Sequence, residues 1–240
     1  MYQYVLRLNA EEKDDPMAVI PAADLGSLAH HLMERLAAER PDREEFRRVS
    51  ARMFDTYLAA RPPMDPFAAE REKNGFLRMM DSAWAHDPGR RVLLSEETMH
   101  GSHPSGLKLY GRPDRVELDE NGDGIVVDFK TGRRVAQQPN DPAGCRQTLI
   151  YAWMLRQNGT AIGRCEDRYL RSGQSVACGA DEDMMEKLGE DLVRFAAGLR
   201  EGDFAAEDGY GADLGEDTCG CCPYGKICAR DAAPEEEAET

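Results

Sequence analysis

An α/β fold carrying a helical insertion is predicted by three features of the sequence. A β-branched hairpin pattern lies near the middle, over 107–130. Stretches with helical signals flank it, by periodicity over 25–40, 42–90 and 142–158 and by an acidic start over 180–201. A chain of 240 residues that is 41% hydrophobic can bury one substantial core. One domain spanning 1–240 is therefore expected, with 41–90 as the helical insertion.

Taken in order, Tyr2-Gln3-Tyr4-Val5-Leu6-Arg7-Leu8 is a short aromatic and apolar segment, followed by a polar loop up to Pro21. Asp24 reads as the N-cap of a helix over 25–40, with Leu25, Leu28, Leu32 and Leu36 as its buried stripe. His30 lies on the flank of that stripe and, taken alone, reads as a partly buried, hydrogen-bonded histidine. Phe46, Val49, Met53 and Tyr57 keep helical spacing. Pro62-Pro63 breaks it, and Phe76, Met79, Met80 and Trp84 resume it, so 42–90 holds two or more helices whose apolar residues are core. Residues 91–98 read as the first core strand. His100 and His103, in a Gly/Ser/Pro-rich stretch, read as part of a polar loop.

Leu107 and Leu109, then Val116 and Leu118, alternate around a charged centre, and Ile125-Val126-Val127 is β-branched. Two strands joined by 119–124 follow. Alternating side chains put Asp128 and Lys130 on one face, roughly 6.5 to 7 Å apart along the strand. Ile125, Val127 and Phe129 form the opposite, apolar face. Asp114 comes opposite Asp128 if the register allows. Two carboxylates and a lysine at one place describe a hard-cation site for phosphodiester chemistry. A surface ion pair of Asp114 with Arg112 and Arg115 is the simpler alternative. Asp119-x-Asn121-x-Asp123-Gly124 imitates the start of a calcium loop, but Lys130 stands where a bidentate Glu is required, so the turn is a solvated hairpin tip.

Beyond the hairpin, 137–140 is a polar linker, and a helix starting at Pro142 or Ala143 runs to Asn158 with Gly159 as its stop. Gln147 and Tyr151 share one face of this helix and by spacing alone are surface polar residues, while Ile150, Trp153, Met154 and Leu155 supply burial. Residues 166–170 complete the sheet. The acidic start Asp181, Glu182 and Asp183 favours a helix over 180–201. Cys165 and Cys178 read as ordinary thiols. Cys219, Cys221, Cys222 and Cys228 place four sulfurs within ten residues beside Pro and Gly, which favours a sulfur-ligated metal centre at 219–228. Residues 231–240 form an acidic tail.

The net charge of −15 opposes long-range steering of a polyanion. Near the hairpin the balance reverses, with Arg112, Arg115, Lys130, Arg133, Arg134 and Arg146 close in sequence, so DNA would be held locally or delivered by a partner. No apolar run approaches a membrane span and no signal-peptide pattern is present, so a cytosolic protein without membrane contact is expected. Seven cysteines, with four clustered, suit metal ligation in a reducing compartment.

Pro113-Asp114 followed by Asp128-Phe129-Lys130 resembles the PD-(D/E)XK signature. The wider strings Gly-Arg-Pro-Asp-Arg-Val-Glu and Val-Asp-Phe-Lys-Thr-Gly resemble the RecB/AddB-type branch and its CRISPR-associated relatives. Gly26-x-x-x-His30, Gln147-x-x-x-Tyr151 and Cys219-x-x-Cys222-x5-Cys228 follow in family order, over about 24–228. The resemblance implies a restriction-endonuclease-like core, with a mixed central β-sheet flanked by helices, and a metal-dependent DNA nuclease, an exonuclease on single-stranded or duplex DNA ends. Asp114, Asp128, His30 and the Phe129 carbonyl would hold Mg²⁺ or Mn²⁺. Lys130 would position the attacking water or neutralise transition-state charge, and Gln147 and Tyr151 would contact the substrate. Glu96 is read as solvent-facing, with an added ligand carboxylate as the alternative because related nucleases often carry an acid on this strand. Cys219, Cys222 and Cys228 would bind a [4Fe-4S] cluster whose fourth ligand in the family precedes the aromatic segment; here no cysteine precedes Cys145. Either the sequence lacks that ligand or the protein has diverged there, leaving Cys221 as a substitute or zinc as the metal. The implied setting is recombinational repair or DNA-end processing with a helicase subunit, since the chain has no Walker A sequence of its own. The alternatives are an inactive DNA-end-binding or structural module of a helicase-nuclease, and a CRISPR spacer-processing exonuclease.

Overall fold

A computed structural model describes residues 19–63, 65–132 and 145–201. The chain divides into two compact units, Met17–Ala196 and a second formed by Met1–Pro16 with Ala197–Thr240; of the second, only 197–201 at the end of the last helix are described. The segment 2–8, Arg133 and Arg134, the linker 137–140, the proposed helix start at Pro142 or Ala143, the cysteines 219–228 and the tail 231–240 lie outside the described residues.

Three helices come first: α1 (Ala22–Glu39), α2 (Arg43–Ala60) and α3 (Pro66–His86). The expected stripe of α1 is buried at Leu25, Leu32 and Leu36, with Ala29 and Met33 added. Asp24 is not its N-cap. The helix starts after Pro21, whose fixed φ suits the entry, and Asp24 in the first turn is free to accept from Tyr57 Oη at 2.6 Å and from Arg61. Asp42 caps α2 through Glu45 N at 2.8 Å. Asp65 caps α3, with Pro66 at its first position.

The strands are β1 (Val92–Ser95), β2 (Met99–Ser102), β3 (Lys108–Gly111), β4 (Arg115–Leu118) and β5 (Gly124–Lys130). Helix α4 (Arg146–Gln157), strands β6 (Ile162–Tyr169) and β7 (Gln174–Gly179), and helix α5 (Glu182–Glu201) follow. Order in the main sheet is β1-β4-β5-β6-β7, with β5 and β6 parallel and the other pairs antiparallel. This is the mixed sheet the family resemblance implies. The parallel pair requires a crossover, which α4 supplies.

Three local expectations are corrected. The first strand ends at Ser95 rather than Thr98 because Glu96 adopts a left-handed φ of 54°, which no regular strand accommodates. The alternating run 107–118 is two strands, since Pro113 has no N–H to donate and interrupts the ladder. Its first half pairs with β2 in a separate two-stranded ribbon, so His100 and His103 do not sit in a simple polar loop. His103 is buried, 5.0 Å from the Trp153 ring, and its Nδ1 lies 2.8 Å from Ser105 Oγ. Strand β7 has no counterpart in the sequence reading, because Gln174–Gly179 is too polar to show a strand period.

Each sheet face has its own core. Ile125, Val127 and Phe129 pack with α1, α2 and α3. Val116, Val126 and Cys165 pack with α4 and α5. Through the first face runs a buried ionic network. Arg168 donates to both Glu117 oxygens at 2.7 and 2.6 Å and to Glu166 at 2.9 and 2.8 Å; Arg115 donates to Glu117, Asp87 and the Met33 carbonyl. The Arg115 guanidinium also lies 4.9 Å over the Phe129 ring. Burial opposes ionisation of Glu117, but Arg168 and Arg115 outweigh it and hold its pKa below the usual carboxylate value. Arg115, read from sequence as part of a basic surface, is 1% exposed and structural.

Glu117→Ala is therefore expected to cost about 3–5 kcal/mol by leaving buried guanidiniums uncompensated. Exposed Glu97→Ala should stay within about 0.5 kcal/mol. Urea denaturation of the two variants checks the contrast.

Candidate active site

The site forms where the β4–β5 ladder ends. Paired Arg115↔Val127 and Val116↔Val126, continued by one residue, set Asp114 across from Asp128. Asp114 lies just before β4, and its side chain takes over the ladder: Oδ2 accepts from Phe129 N at 2.6 Å. Its other oxygen, Oδ1, is 3.2 Å from His30 Nδ1. Helix α1 delivers His30, whose Nε2 donates to the Phe129 carbonyl at 3.1 Å. That bond fixes the ring, so Nδ1 points at carboxylates.

Glu96 supplies the second of these. Its Oε1 is 3.4 Å from His30 Nδ1 and its Oε2 is 3.0 Å from Arg112 Nε. The positive φ turns the backbone at the end of β1, and Glu96 N–H is held by the Pro113 and Asp114 carbonyls at 3.2 Å each. A non-glycine residue held there stores roughly 1–3 kcal/mol of strain, as functional positions often do. With its side chain 14% exposed, Glu96 is not solvent-facing. One ligand atom each from His30, Glu96 and Asp114 lie within 4.8 Å of one another. His30 and Glu96 border a cavity of about 500 Å³ lined also by Gly26, Ser27 and Arg112.

With Nε2 as donor, a neutral His30 would aim a lone pair at two carboxylates. Hydrogen bonding to Asp114 is the main reason its pKa rises to about 9, against the opposing effect of burial, so a proton occupies the convergence point. One imidazole nitrogen and two carboxylate oxygens are equally suited to a divalent cation such as Mg²⁺ or Mn²⁺. The residues present fit that ion.

Asp128 and Lys130 stand beside this group. Lys130 Nζ is 2.5 Å from Asp128 Oδ2. Burial and the Asp114 charge raise the Asp128 pKa; for Lys130, burial pulls the value down, but Asp128, Asp167 and Asp114 raise it further. Gln147 Nε2 donates to Tyr151 Oη at 3.1 Å, so these two residues share one face of α4. The Tyr151 ring packs on Gly111, where an added Cβ would come within 2.3 Å of it. Gly111 keeps the ribbon close to α4.

Of the residues singled out from sequence, the fold thus brings His30 to Asp114 and the Phe129 carbonyl, Asp128 to Lys130, and Gln147 to Tyr151. Cys219, Cys221, Cys222 and Cys228 lie outside the described residues. Two acids had weaker signals. Glu96 was one of two adjacent glutamates at a strand end, and only the left-handed turn selects it. Asp167 sits on β6 in register with Asp128, 3% exposed, and burial raises its pKa to about 6. An Asp at the same parity as Cys165 and Tyr169 in a buried strand was the available hint.

A five-stranded mixed sheet with helices on both faces, and acids plus a lysine gathered at the end of its central strand, defines an α/β protein whose sheet end has donors suited to a divalent cation. The model of the PD-(D/E)XK nuclease superfamily matches residues 1–229, and the chain belongs to that superfamily, whose members are generally metal-dependent nucleases. Among solved structures, the crystal structure of SSO0001 superposes with a TM-score of 0.40 and 16% identity, covering 85% of this chain and 84% of that one. No curated protein matches the chain. Among the described residues no helix is long and apolar enough to cross a membrane.

The raised His30 pKa has a pH signature in metal-free protein. A histidine raised from 6.5 to about 9 contributes stability that is fully present below pH 6.5 and lost as pH rises through 9. In EDTA, the melting-temperature advantage of the wild type over His30→Gln is expected to shrink steadily between about pH 6.5 and pH 10. Thermal denaturation across that range checks it.

Proposed function

We propose that this protein is a Mg²⁺- or Mn²⁺-dependent deoxyribonuclease that hydrolyses phosphodiester bonds at DNA ends. The observation that carries the reading is the convergence of His30, Glu96 and Asp114 within 4.8 Å, beside the Asp128–Lys130 pair, in a chain of the PD-(D/E)XK superfamily. His30, Glu96 and Asp114 would hold the cation, which would supply Lewis-acid polarisation of a phosphate oxygen and a lowered pKa for a bound water.

The chain's own residues do the rest. The Phe129 N–H fixes Asp114, and the Phe129 carbonyl fixes the His30 tautomer, so both donors are preorganised rather than recruited. Asp128, raised by burial and the Asp114 charge, gains from any cation brought to the sheet end. Lys130, kept protonated by its carboxylate neighbours, offers an ammonium to the charge that develops on the pentavalent phosphorus centre. Gln147 and Tyr151 contact the substrate backbone. Arg112, more than half exposed, faces the polyanion from the cavity rim. Local attraction of this kind offsets the acidic chain.

The exonuclease mode, the RecB-like lineage, the repair setting with a helicase partner and the CRISPR spacer-processing role are finer readings of the same site. In all of them Cys219, Cys222 and Cys228, with Cys221 available as a fourth thiolate, staple a structural [4Fe-4S] or zinc centre. Iron, sulfide and zinc analysis of anaerobically prepared protein separates the two.

The test is degradation of end-labelled linear single-stranded DNA with Mn²⁺, Mg²⁺ or EDTA, with a circular substrate to separate exonuclease from endonuclease action. Cleavage should need the metal and fall by about 100- to 1000-fold in Lys130→Ala. Folded, Mn²⁺-loaded protein that binds DNA ends but leaves them intact would favour the inactive binding module.

A further inference from the structure

The ribbon of β2 and β3 is separate from the main sheet and has two unlike faces. Two strands alone are marginal in water, and this pair is fastened along one face. Met99, Leu107 and Leu109 pack on the core that α4 and α5 share, and glycines allow the close approach: a Cβ on Gly101 would come within 3.2 Å of Met154 Cγ, and one on Gly111 would overlap the Tyr151 ring. Alternation puts His100 and Ser102 of β2 and Lys108 and Tyr110 of β3 on the other face, where all four are exposed. His100 and Tyr110 are direct cross-strand partners, their ring centroids 5.4 Å apart, and Tyr110 is 72% exposed. Lys108 Nζ donates to Ser102 Oγ at 3.1 Å and, among the described residues, pairs with no carboxylate.

Charge here is unlike that of the chain as a whole. Asp and Glu number 45 of 240 residues, yet none occurs between Glu97 and Asp114, a stretch that holds Lys108, Arg112 and two histidines. Lys108, Tyr110 and Arg112 share one parity, each step roughly 6.5 to 7 Å along an extended chain. The last of them reaches the site: Arg112 Nε is 3.0 Å from Glu96 Oε2, at the cavity that His30 also lines. A lone exposed tyrosine is ordinary on a protein surface. Two paired rings on a fastened ribbon, with a cation on either side and no acid nearby in sequence, have the composition that an unpaired strand requires: π faces for its bases and positive charge for its phosphates. A duplex keeps its base faces stacked inside and offers the rings nothing to cover. We propose that the exposed face of the β2–β3 ribbon binds single-stranded DNA, a base stacking on Tyr110 and His100 and flanking phosphates meeting Lys108 and Arg112, and that it leads the strand to the cavity at His30 and Glu96. The proposal deepens the nuclease reading and rests on it for the identity of the strand as DNA.

Fluorescence anisotropy with a labelled oligothymidylate tests it, using the full chain with Mn²⁺ in the Lys130→Ala background so that bound strand stays intact. Adding Tyr110→Ala should raise the Kd roughly 5- to 100-fold, and Tyr110→Phe, which keeps the ring, should leave it unchanged. Lys108→Ala should make the dependence of log Kd on log salt shallower by about 0.7. An abasic strand of the same length and a blunt duplex should each bind Tyr110→Ala and its parent alike. With Lys130 restored, Tyr110→Ala should raise KM for single-stranded DNA and spare kcat. Unchanged oligothymidylate affinity in Tyr110→Ala, or an equal loss on the abasic strand, would overturn the platform, and cleavage by the wild type would leave the nuclease reading standing. The expected binding pattern in a wild type that leaves DNA intact would uphold the platform and place it on an inactive binding module. A wild type that neither binds nor cuts DNA removes both. Melting curves check folding, and His100→Ala, which removes the other ring, supplies the same contrast should Tyr110→Ala unfold.

Discussion

The hydrogen bond from Phe129 N to Asp114 Oδ2 is the constraint on which the rest of the site depends. At the end of β4 the backbone ladder has no further partner to offer, and Pro113 cannot supply one. Asp114 closes the ladder with its side chain instead. One oxygen is thereby committed to structure and the other is left facing His30. The same residue, Phe129, uses its carbonyl to orient His30 and its ring to cover Arg115, so a single strand position ties α1, the hairpin and the buried ionic network together.

Burying charge on both faces of one sheet is expensive, and the protein meets that cost in two ways. On the α1–α3 face, Glu117, Glu166, Arg115 and Arg168 satisfy one another in bidentate and shared bonds, so the charges are locked and have a structural role. At the other end of the same strands four acids, Asp114, Asp128, Asp167 and Glu96, gather with three cations, His30, Lys130 and the exposed Arg112. Protonated His30 and Lys130 compensate part of that negative charge. An incompletely neutralised group of hard oxygen donors around one imidazole is suited to a divalent ion. The contrast within two strands separates the structural carboxylates from the chemical ones.

Much of this was legible beforehand, for identifiable reasons. The β-branched run at 125–127 and the Asp/Asn/Gly turn dictated a hairpin, and its period of two fixed Asp128 and Lys130 on one face against Ile125, Val127 and Phe129. Helical spacing located α1 through α4, the acidic start at Asp181, Glu182 and Asp183 located α5, and Pro62-Pro63 the break between α2 and α3. What failed was local in each case. Asp24 has the chemistry of a cap, but Pro21 already starts the helix. Alternation over 107–118 looked continuous because side-chain pattern is blind to the missing N–H of Pro113. Arg115 looked like a surface cation because nothing in its neighbourhood in sequence announces Asp87 or Arg168, which lie far along the chain.

The sequence by itself determined the α/β class, the hairpin and the identity of Asp114, Asp128, Lys130 and His30 as candidates, since these rest on period, turn chemistry and motif spacing within short windows. Only the tertiary structure decided that Glu96 joins His30 and Asp114, that β6 runs parallel to β5 with Asp167 level with Asp128, and that Arg115 is buried. Strand order and register between distant segments depend on how two cores fill opposite faces of one sheet, and that packing leaves no periodic trace in the residues it brings together.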